Sequence, residues 1–381
     1  MNRIRQALFL AIGFTIALLF ALLALELAFG SWIRQDKWEQ TRSLNIIRNQ
    51  TIAYGVGNVH GHENPQVSYT RDRFGLRGSC TDPQNISILT LGGSTTDQRL
   101  ISDGGTWQDI LQSELRKAMQ EPICVANAGV DGHSTFGHFY SFQAWFPLID
   151  KLSPKTYLLY IGINDAGFRL SPAIDFDTQN PNDISVPTRS FWEKSALYQL
   201  FRSSGLVFAS LRNAPIQAYA GHAKRPPNDP DYTATATTAG VDELIQINTA
   251  AFEIRLNQII DEISRRNADF ACISQPHLFA KLIAGTYRGV ENAFEYQGRV
   301  YNGLDFAKSI AALNAAMRKI CTARSGSYID IASKHFERDD FYDFVHNTPR
   351  GSDRLGRYMF EELQRANVIR SQANIAQQHR R

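Results

Sequence analysis

Short apolar segments alternate with longer amphipathic segments from residue 86 to residue 366, and this alternation limits the possible folds. Segments with the β-branched, apolar composition of buried strands lie at 86–91, 123–127, 156–161, 270–273 and 328–331. Segments with apolar residues at helical spacing lie at 106–119, 139–152, 241–266, 305–322 and 353–366. Strands that are joined by helices pair in parallel, so the sequence predicts an α/β fold with helices on both faces of a parallel sheet.

The first predicted strand runs directly into the sequence Gly-Gly-Ser-Thr-Thr-Asp at residues 92–97. Glycine adopts backbone angles that a Cβ forbids, so Gly92 and Gly93 predict a tight turn out of the strand. Ser94 stands where a helix begins, and its hydroxyl and its own amide can face the same space, which suits a nucleophile. A capping box, in which Ser94 and Asp97 only satisfy helix amides, explains this stretch equally well.

Candidate functional residues follow four of the five predicted strands, at the edge of the sheet where parallel α/β folds place their sites. The first strand ends at Ser94, the second leads to Gly132, the third leads to Asn164, and Asp343 and His346 follow the fifth. Ser94 fits a nucleophile for acyl transfer, His346 its general base, and Asp343 the carboxylate that orients the imidazole. The Ser94 amide, the Gly132 amide and the Asn164 side chain fit an oxyanion hole.

Each of these residues also has a structural alternative when it is considered alone. Gly132 fits a turn, Asn164 fits a turn or a helix cap, and His346 fits a surface position before a helix. The occurrence of all four blocks at strand ends, in this order, favours the catalytic hypothesis over a chance assembly.

The four blocks resemble those of the SGNH (GDSL-like) hydrolase superfamily over about residues 86–366. Ser94 matches the serine block, Gly132 the glycine, Asn164 the asparagine, and Asp343 with His346 the Asp-x-x-His block. The serine block is GGST in place of GDS, a variant that resembles membrane-anchored bacterial members and keeps the nucleophile. The resemblance implies a three-layer, flavodoxin-like α/β/α fold with a five-stranded parallel sheet. It also implies ester hydrolysis or acyl transfer through an acyl-enzyme, without a metal or another cofactor.

The N-terminus carries an uncharged, mostly apolar stretch at residues 7–25. At about 1.5 Å per residue, residues 7–29 cross a bilayer core of about 30 Å. Arg3 and Arg5 predict a cytoplasmic N-terminus, although basic residues soon after the stretch weaken this signal. The sequence favours a single-pass anchor in the inner membrane, with the catalytic domain on the periplasmic or extracellular side. A cleaved signal peptide is the alternative.

The sequence divides into four predicted regions. A cytoplasmic stub and transmembrane anchor occupy 1–30, a membrane-proximal segment 31–85, the hydrolase-like domain 86–368, and a polar tail 369–381. Within the hydrolase-like domain, residues 166–240 are rich in Pro, Asn, Asp, Thr and Gly, which predicts an insertion over one end of the sheet, with one helix around 195–211.

The four cysteines fit an exported domain that contains disulfides. Cys80 precedes the first strand and Cys124 lies in the second, whereas Cys272 lies in the fourth strand and Cys321 ends the following helix. The pairs Cys80 with Cys124 and Cys272 with Cys321 are therefore favoured, although four cysteines allow three pairings. Four buried free thiols are the alternative.

Charge and motifs exclude several other functions. A net charge of +3, without a basic run that contains aromatic residues, argues against nucleic-acid binding. Ser94 at a helix start suits an anion, but the full phosphate-loop pattern is absent. His133 and His138 lack carboxylates at the spacing of a metal site. An enzyme anchored outside the cytoplasm meets envelope glycans and lipids, so we predict O-acyl groups, above all acetyl, of an envelope or extracellular polysaccharide as substrate.

Two other functions stay open at this stage. One is a non-catalytic envelope scaffold or glycan-binding protein on the same fold. The other is a lipid-directed esterase with the insertion as a lid, for which Phe168, Phe191, Trp192 and Leu197 supply apolar surface or simply pack on the core. The sequence predicts no specific protein partner.

Overall fold

The computed structural model describes residues 2–30, 32, 37–38, 41, 44–60, 66–80, 82–170, 192–198, 200–201 and 230–369. The chain forms two compact units, one of Met1–Gln40 with Val186–Pro215 and the other of Thr41–Ser185 with Ile216–Arg381. Most of the predicted insertion at 166–240, most of its predicted helix around 195–211, and the polar tail beyond residue 369 lie outside the described residues.

The strands of the second unit form one sheet and three pairs. The described strands are β1 (Gln50–Gly55), β2 (Gln66–Arg71), β3 (Ile88–Gly92), β4 (Val125–Asn127), β5 (Thr156–Tyr160), β6 (Asp269–Ile273), β7 (Ala280–Ile283), β8 (Thr286–Gly289), β9 (Phe294–Tyr296), β10 (Arg299–Tyr301) and β11 (Ser327–Ile329). Five of them pair in parallel in the order β4–β3–β5–β6–β11. β1 with β2, β7 with β8, and β9 with β10 form antiparallel pairs. All five predicted strands therefore form one parallel sheet in a flavodoxin-like order, and the predicted α/β fold is confirmed.

The helices connect these strands largely as predicted. The described helices are α1 (Asn2–Phe29), α2 (Gly57–His60), α3 (Ser94–Asp97), α4 (Trp107–Met119), α5 (Thr135–Tyr140), α6 (Val241–Arg265), α7 (Gly303–Ala323) and α8 (Pro349–Arg365). Capping boxes start two of the long helices, at Thr106 with Asp109 before α4 and at Asn302 with Asp305 before α7.

The helix predicted at 139–152 differs from the prediction. It begins earlier, as α5, then widens into a π-helical turn over Ser141–Trp145 and tightens into a 3₁₀ turn over Phe146–Leu148. Pro147 lies in that last turn, where its missing N–H and its ring prevent a regular α-helix.

The sheet is the middle of three layers. Tyr160 of β5 packs edge-on against Trp107 of α4, with 5.8 Å between ring centroids, and Leu355 of α8 joins the same buried cluster. Successive strand residues point to opposite faces. Cys272, whose two neighbours in β6 belong to that cluster, points to the other face and forms a disulfide with Cys321 of α7. Helices therefore cover both faces, as the sequence predicts.

A second disulfide joins Cys80 to Cys124, immediately before β4. The structure therefore contains both of the favoured pairs, and no cysteine within the described residues is a free thiol.

The segment before the predicted boundary at residue 86 folds against the sheet. β1 and β2 form a hairpin in which Gln50 lies opposite Arg71. Beyond the hairpin, Arg77 exchanges two backbone hydrogen bonds with Asn127 at the end of β4, at 3.0 and 2.9 Å. From Thr41 onward the chain is part of the same compact unit as the sheet. A membrane-proximal role for residues 31–85 stays a prediction.

The first unit contains α1, whose residues Ile4–Phe29 include an 18-residue window with a mean hydropathy of 2.8 and no buried position. This helix is long and apolar enough to cross a membrane, and a signal sequence meets the same criteria. The carboxylate of Glu26, near its end, accepts hydrogen bonds from the Ser195 hydroxyl at 2.6 Å and from the amides of Ala196 and Leu197 at 2.9 and 3.1 Å.

We expect Gly356→Ala to destabilise the contact between α8 and α4. A Cβ at this position lies 2.5 Å from the Cβ of Ile110 and 2.8 Å from the carbonyl oxygen of Trp107. Overpacking of this kind lowers the free energy of unfolding by about 1–3 kcal/mol, which exceeds the gain of about 0.5–1 kcal/mol in helix propensity. Thermal unfolding of the full chain measures the effect.

The control is Gln364→Ala, at an exposed position of the same helix. It is expected to change the free energy of unfolding by less than about 0.5 kcal/mol. A Gly356→Ala chain that melts at the wild-type temperature contradicts the close contact.

Candidate active site

The carboxyl edge of the sheet gathers the loops that carry the candidate residues. β3 leads to Ser94, β4 leads to Gly132, and β5 leads to Asn164. The strand order reverses beside β3, and doubly wound sheets bind ligands at such a reversal.

Ser94 is the first residue of α3, and the capping-box alternative is wrong. The residue that precedes the helix is Gly93, and no side chain caps this helix start. The Ser94 hydroxyl is instead directed to the imidazole of His346, with 2.7 Å between Oγ and Nε2.

The two glycines before Ser94 are needed for space, and neither has a positive φ. A Cβ on Gly92 lies 2.4 Å from the carbonyl oxygen of Tyr160, and a Cβ on Gly93 lies 2.5 Å from the amide nitrogen of Asn164. The turn therefore packs directly against β5 and the loop after it.

A chain of hydrogen bonds runs from Ser94 through His346 to Asp343. His346 Nδ1 lies 2.6 Å from Asp343 Oδ2. The other carboxylate oxygen accepts hydrogen bonds from the backbone amides of Val345 and His346, at 2.8 and 2.7 Å. Since an ionised carboxylate only accepts, the Nδ1 atom of a neutral His346 carries the proton, and Nε2 is free to accept the serine proton.

The charges around His346 favour its protonated form. Burial opposes ionisation of Asp343, but His346 and the two backbone amides hold the pKa of its carboxyl below the ordinary value. Burial likewise disfavours the imidazolium, yet Asp343, followed by Asp131 and Asp97, raises the pKa of His346 above its ordinary 6.5. The pair therefore suits a base that gains a proton during a reaction.

Two further candidate hydrogen-bond donors, the Asn164 side chain and the Gly132 amide, belong to loops beside the turn that carries Ser94. Asn164 donates one side-chain N–H to the carbonyl of His133 at 2.8 Å, and its second N–H has no partner among the described residues. Gly132, next to His133, has φ +80°, a left-handed conformation that favours glycine. The structure thus brings Asn164 and the Gly132 loop to the turn that carries Ser94, as the sequence predicts.

Three further residues that the sequence singles out, His133, His138 and Phe168, are buried and make packing contacts in the structure. His133 Nε2 lies 2.8 Å from the Leu44 carbonyl oxygen, and burial lowers the pKa of this imidazole to about 4. His138 is buried beside it, with 6.1 Å between ring centroids. Phe168 is buried among Phe294, Tyr296 and Tyr301, so it packs on the core. Within the described residues, no cluster of His, Cys, Asp and Glu suits a metal ion.

Trp192 and Leu197 lie in the other unit, where Trp192 is exposed and Leu197 is half-buried. Phe191 lies outside the described residues.

Tyr342, which was not predicted from the sequence, stacks on His346 with ring centroids 5.4 Å apart and planes 7° apart. Its position immediately before Asp343 was the only available signal. Arg71 was not predicted either, because its partners Asp97 and Gly129 lie 26 and 58 residues away in the sequence.

The family model described as the GDSL-like Lipase/Acylhydrolase family matches residues 90–354. Among solved structures, the chain is similar to the psychrotrophic esterase EstA from Pseudoalteromonas sp., at 12% identity and a TM-score of 0.36, over 73% of this chain and 96% of that chain. It is also similar to a putative GDSL-like lipase from Parabacteroides merdae ATCC 43184, at 12% identity and a TM-score of 0.40, over 73% of this chain and 95% of that chain.

A third similar structure is the acetylxylan esterase Axe2 from Geobacillus stearothermophilus, at 11% identity and a TM-score of 0.37, over 72% of this chain and 93% of that chain. No curated protein matches the sequence. The family model covers more than half of the chain, and the chain therefore belongs to the GDSL-like lipase/acylhydrolase family.

Proposed function

We propose that this family member is a serine esterase or acyltransferase that works through an acyl-enzyme on Ser94. His346 is the general base and Asp343 orients it, while the Ser94 amide, the Gly132 amide and the Asn164 side chain form the oxyanion hole. The observation that carries the proposal is the unbroken chain of hydrogen bonds from the Ser94 hydroxyl through His346 to Asp343.

The proposed reaction conserves protons at each step. The Ser94 Oγ attacks the ester carbonyl carbon while His346 Nε2 takes its proton. The carbonyl oxygen becomes an oxyanion, which the three N–H donors stabilise. Collapse of this intermediate breaks the ester bond, and the leaving alcohol takes the proton from His346. Water or a sugar hydroxyl then attacks the acyl-Ser94 and passes its proton to His346. Collapse of this second intermediate breaks the bond to Ser94, whose oxygen takes the proton back from His346, and releases the acyl group as the free acid or the new ester.

We propose an acetyl group on an envelope or extracellular polysaccharide as the natural substrate. On the side of Leu100 and Tyr342, the described residues beside Ser94 line a small, partly open cavity of about 10 Å³. A space of this size holds about one water molecule, so it suits a methyl group better than a long acyl chain. In the proposed arrangement α1 anchors the protein in the inner membrane with this domain outside the cytoplasm, where the two disulfides persist.

The first prediction concerns the nucleophile and its base. In the full chain, Ser94→Ala and His346→Ala are each expected to lower the kcat for p-nitrophenyl acetate by more than about 10³-fold. Each substitution removes a member of the hydrogen-bonded chain from Ser94 through His346 to Asp343. Ser87→Ala, just before the opposite end of the same strand, is the control and is expected to leave kcat unchanged. Release of p-nitrophenol measures all three variants.

The outcomes of this experiment separate the open functions. Equal activity in wild type and Ser94→Ala contradicts the serine mechanism and favours a scaffold or glycan-binding protein. If p-nitrophenol release stops after about one equivalent per enzyme and mass spectrometry finds an acetyl group on Ser94, the protein is a transferase that excludes water. Absence of both the release and the adduct contradicts the proposal.

The second prediction concerns pH. Only neutral His346 accepts the serine proton, and its pKa is raised above 6.5, so kcat/KM is expected to fall as the pH decreases through a value above 6.5. Asp343→Asn removes the largest stabilisation of the imidazolium, so the remaining activity is expected to lose this acid limb or show it at a lower pH. A wild-type profile that stays flat down to pH 6.5 contradicts the geometry of the pair.

The third prediction concerns the acyl group. Leu100→Ala enlarges the cavity beside Ser94, so it is expected to raise the ratio of activity on p-nitrophenyl butyrate to activity on p-nitrophenyl acetate several-fold. Leu363→Ala, equally buried on α8, is the control for general destabilisation and is expected to keep the wild-type ratio. A wild type that prefers long-chain esters contradicts the acetyl assignment and favours a lipid substrate.

A further inference from the structure

A buried guanidinium connects the two loops that carry the proposed nucleophile and oxyanion hole. Arg71, the last residue of β2, lies before the matched residues 90–354 and is 3% exposed. An arginine side chain has five N–H donors, and all five are used here. They bind the Tyr69 hydroxyl at 2.8 Å, the carbonyls of Gly75 at 3.0 Å, Asn127 at 3.2 Å and Gly129 at 2.6 Å, and the carboxylate of Asp97.

Asp97 is the acidic partner of Arg71 and ends α3, the helix that begins at Ser94. Its side chain is fully buried, and it also accepts a hydrogen bond from the Tyr69 hydroxyl at 2.9 Å. Burial opposes ionisation, but Arg71, Arg99 and Arg77 hold the pKa of the Asp97 carboxyl below its ordinary value. The pair is therefore a buried ion pair with nearly every donor and acceptor satisfied.

The Gly132 loop meets the Ser94 turn at the guanidinium nitrogen Nη2, which also binds Asp97. Arg71 holds the Gly129 carbonyl, three residues before Gly132. Asn127 extends the connection, because its side chain donates to the Thr96 carbonyl at 2.7 Å and accepts from the Gly129 amide at 2.8 Å. A Cβ on Gly129 lies 2.3 Å from the Asp97 amide nitrogen, so the two backbones are in direct contact.

We propose that Arg71 and Asp97 are positioning residues, which hold the Ser94 turn and the Gly132 loop at the separation that the tetrahedral intermediate requires. The proposal rests on the proposed roles of Ser94 and Gly132. Stability alone accounts poorly for the pair, because apolar residues of similar volume often replace a buried ion pair without loss. A fixed distance between the Ser94 turn and the Gly132 loop explains the ion pair better, because a displacement of about 1 Å in an active site lowers the rate about 10²-fold.

The decisive variant is Arg71→Lys, which keeps the positive charge but offers three donors in place of five. Its matched control is Arg73→Lys, an exposed position two residues along the chain, whose guanidinium lies over the Phe74 ring. Asp97→Asn tests the other partner, because it keeps the shape of the side chain and removes its charge. Thermal unfolding identifies which of these full-length variants are folded.

Two measurements on the folded variants test the proposal. The first is kcat and KM for p-nitrophenyl acetate, and we expect Arg71→Lys to lower kcat about 10- to 100-fold while KM changes less than about threefold. The second is hydrogen exchange, read by mass spectrometry in peptides that cover residues 94–101 and 127–133. We expect exchange to become faster in both peptides in Arg71→Lys and Asp97→Asn, and unchanged in Arg73→Lys.

The outcomes separate a positioning role of Arg71 from a structural role and from no connection between the loops. Exchange in Arg71→Lys that matches Arg73→Lys overturns the proposed connection, whatever the activity. Faster exchange with an unchanged kcat overturns the positioning role and leaves only a structural one. If the wild type has neither esterase activity nor an acylated Ser94, the proposed function fails, and the exchange data still show whether Arg71 couples the two loops.

Discussion

Direct contact between backbones at the carboxyl edge of the sheet is the constraint on which the candidate site depends. Gly92, Gly93 and Gly129 lie where the nearest backbone or buried polar atoms would be 2.0–2.5 Å from a Cβ. These contacts bring the loops after β3, β4 and β5 closer together than side chains would allow. The loops that carry Ser94, Gly132 and Asn164 meet for this reason, although no two of these residues are neighbours in the sequence.

Such close packing removes polar groups from water, and each of them needs a partner inside the protein. Side-chain charges supply many of these partners. Arg71 and Arg77 bind main-chain carbonyls of the Ser94 turn and of the loop after β4, while Asp97 supplies the opposite charge. The remaining negative charge of Asp97 and Asp131 favours the protonated form of His346. The interactions that stabilise the loops therefore also tune the proposed base.

The loop that carries His346 is held by the hairpin of β1 and β2 as well. Tyr342 stacks on the His346 ring and is buried in one apolar cluster with Tyr54, Val67 and Tyr69 of the hairpin. The hairpin lies before the residues that the family model matches, yet it packs against Tyr342, and its Arg71 binds Asp97 at the end of the helix that begins at Ser94. The contacts around the candidate site therefore extend toward the N-terminus beyond the matched residues.

The elements of the sheet and the main helices were predictable from the sequence, because burial imposes periods that one segment shows by itself. The strand at residues 156–161 is apolar throughout, as a strand covered on both faces must be, and it forms β5. The helix at 139–152 was less predictable. Its pattern is helical, but the effect of Pro147 on the hydrogen bonds of the preceding turns depends on how the chain packs there.

The sequence by itself determined the parallel α/β fold, an apolar N-terminal helix, and the set Ser94, Gly132, Asn164, Asp343 and His346 as residues at strand ends. Only the tertiary structure decided that Ser94 is not a helix cap, because the partner that engages its hydroxyl lies 252 residues away. Likewise, Arg71 is an ordinary basic residue in the sequence, since its partners Asp97 and Gly129 follow 26 and 58 residues later. Local periodicity records which face of a segment is buried, whereas hydrogen bonds between distant loops exist only after the sheet has brought those loops together.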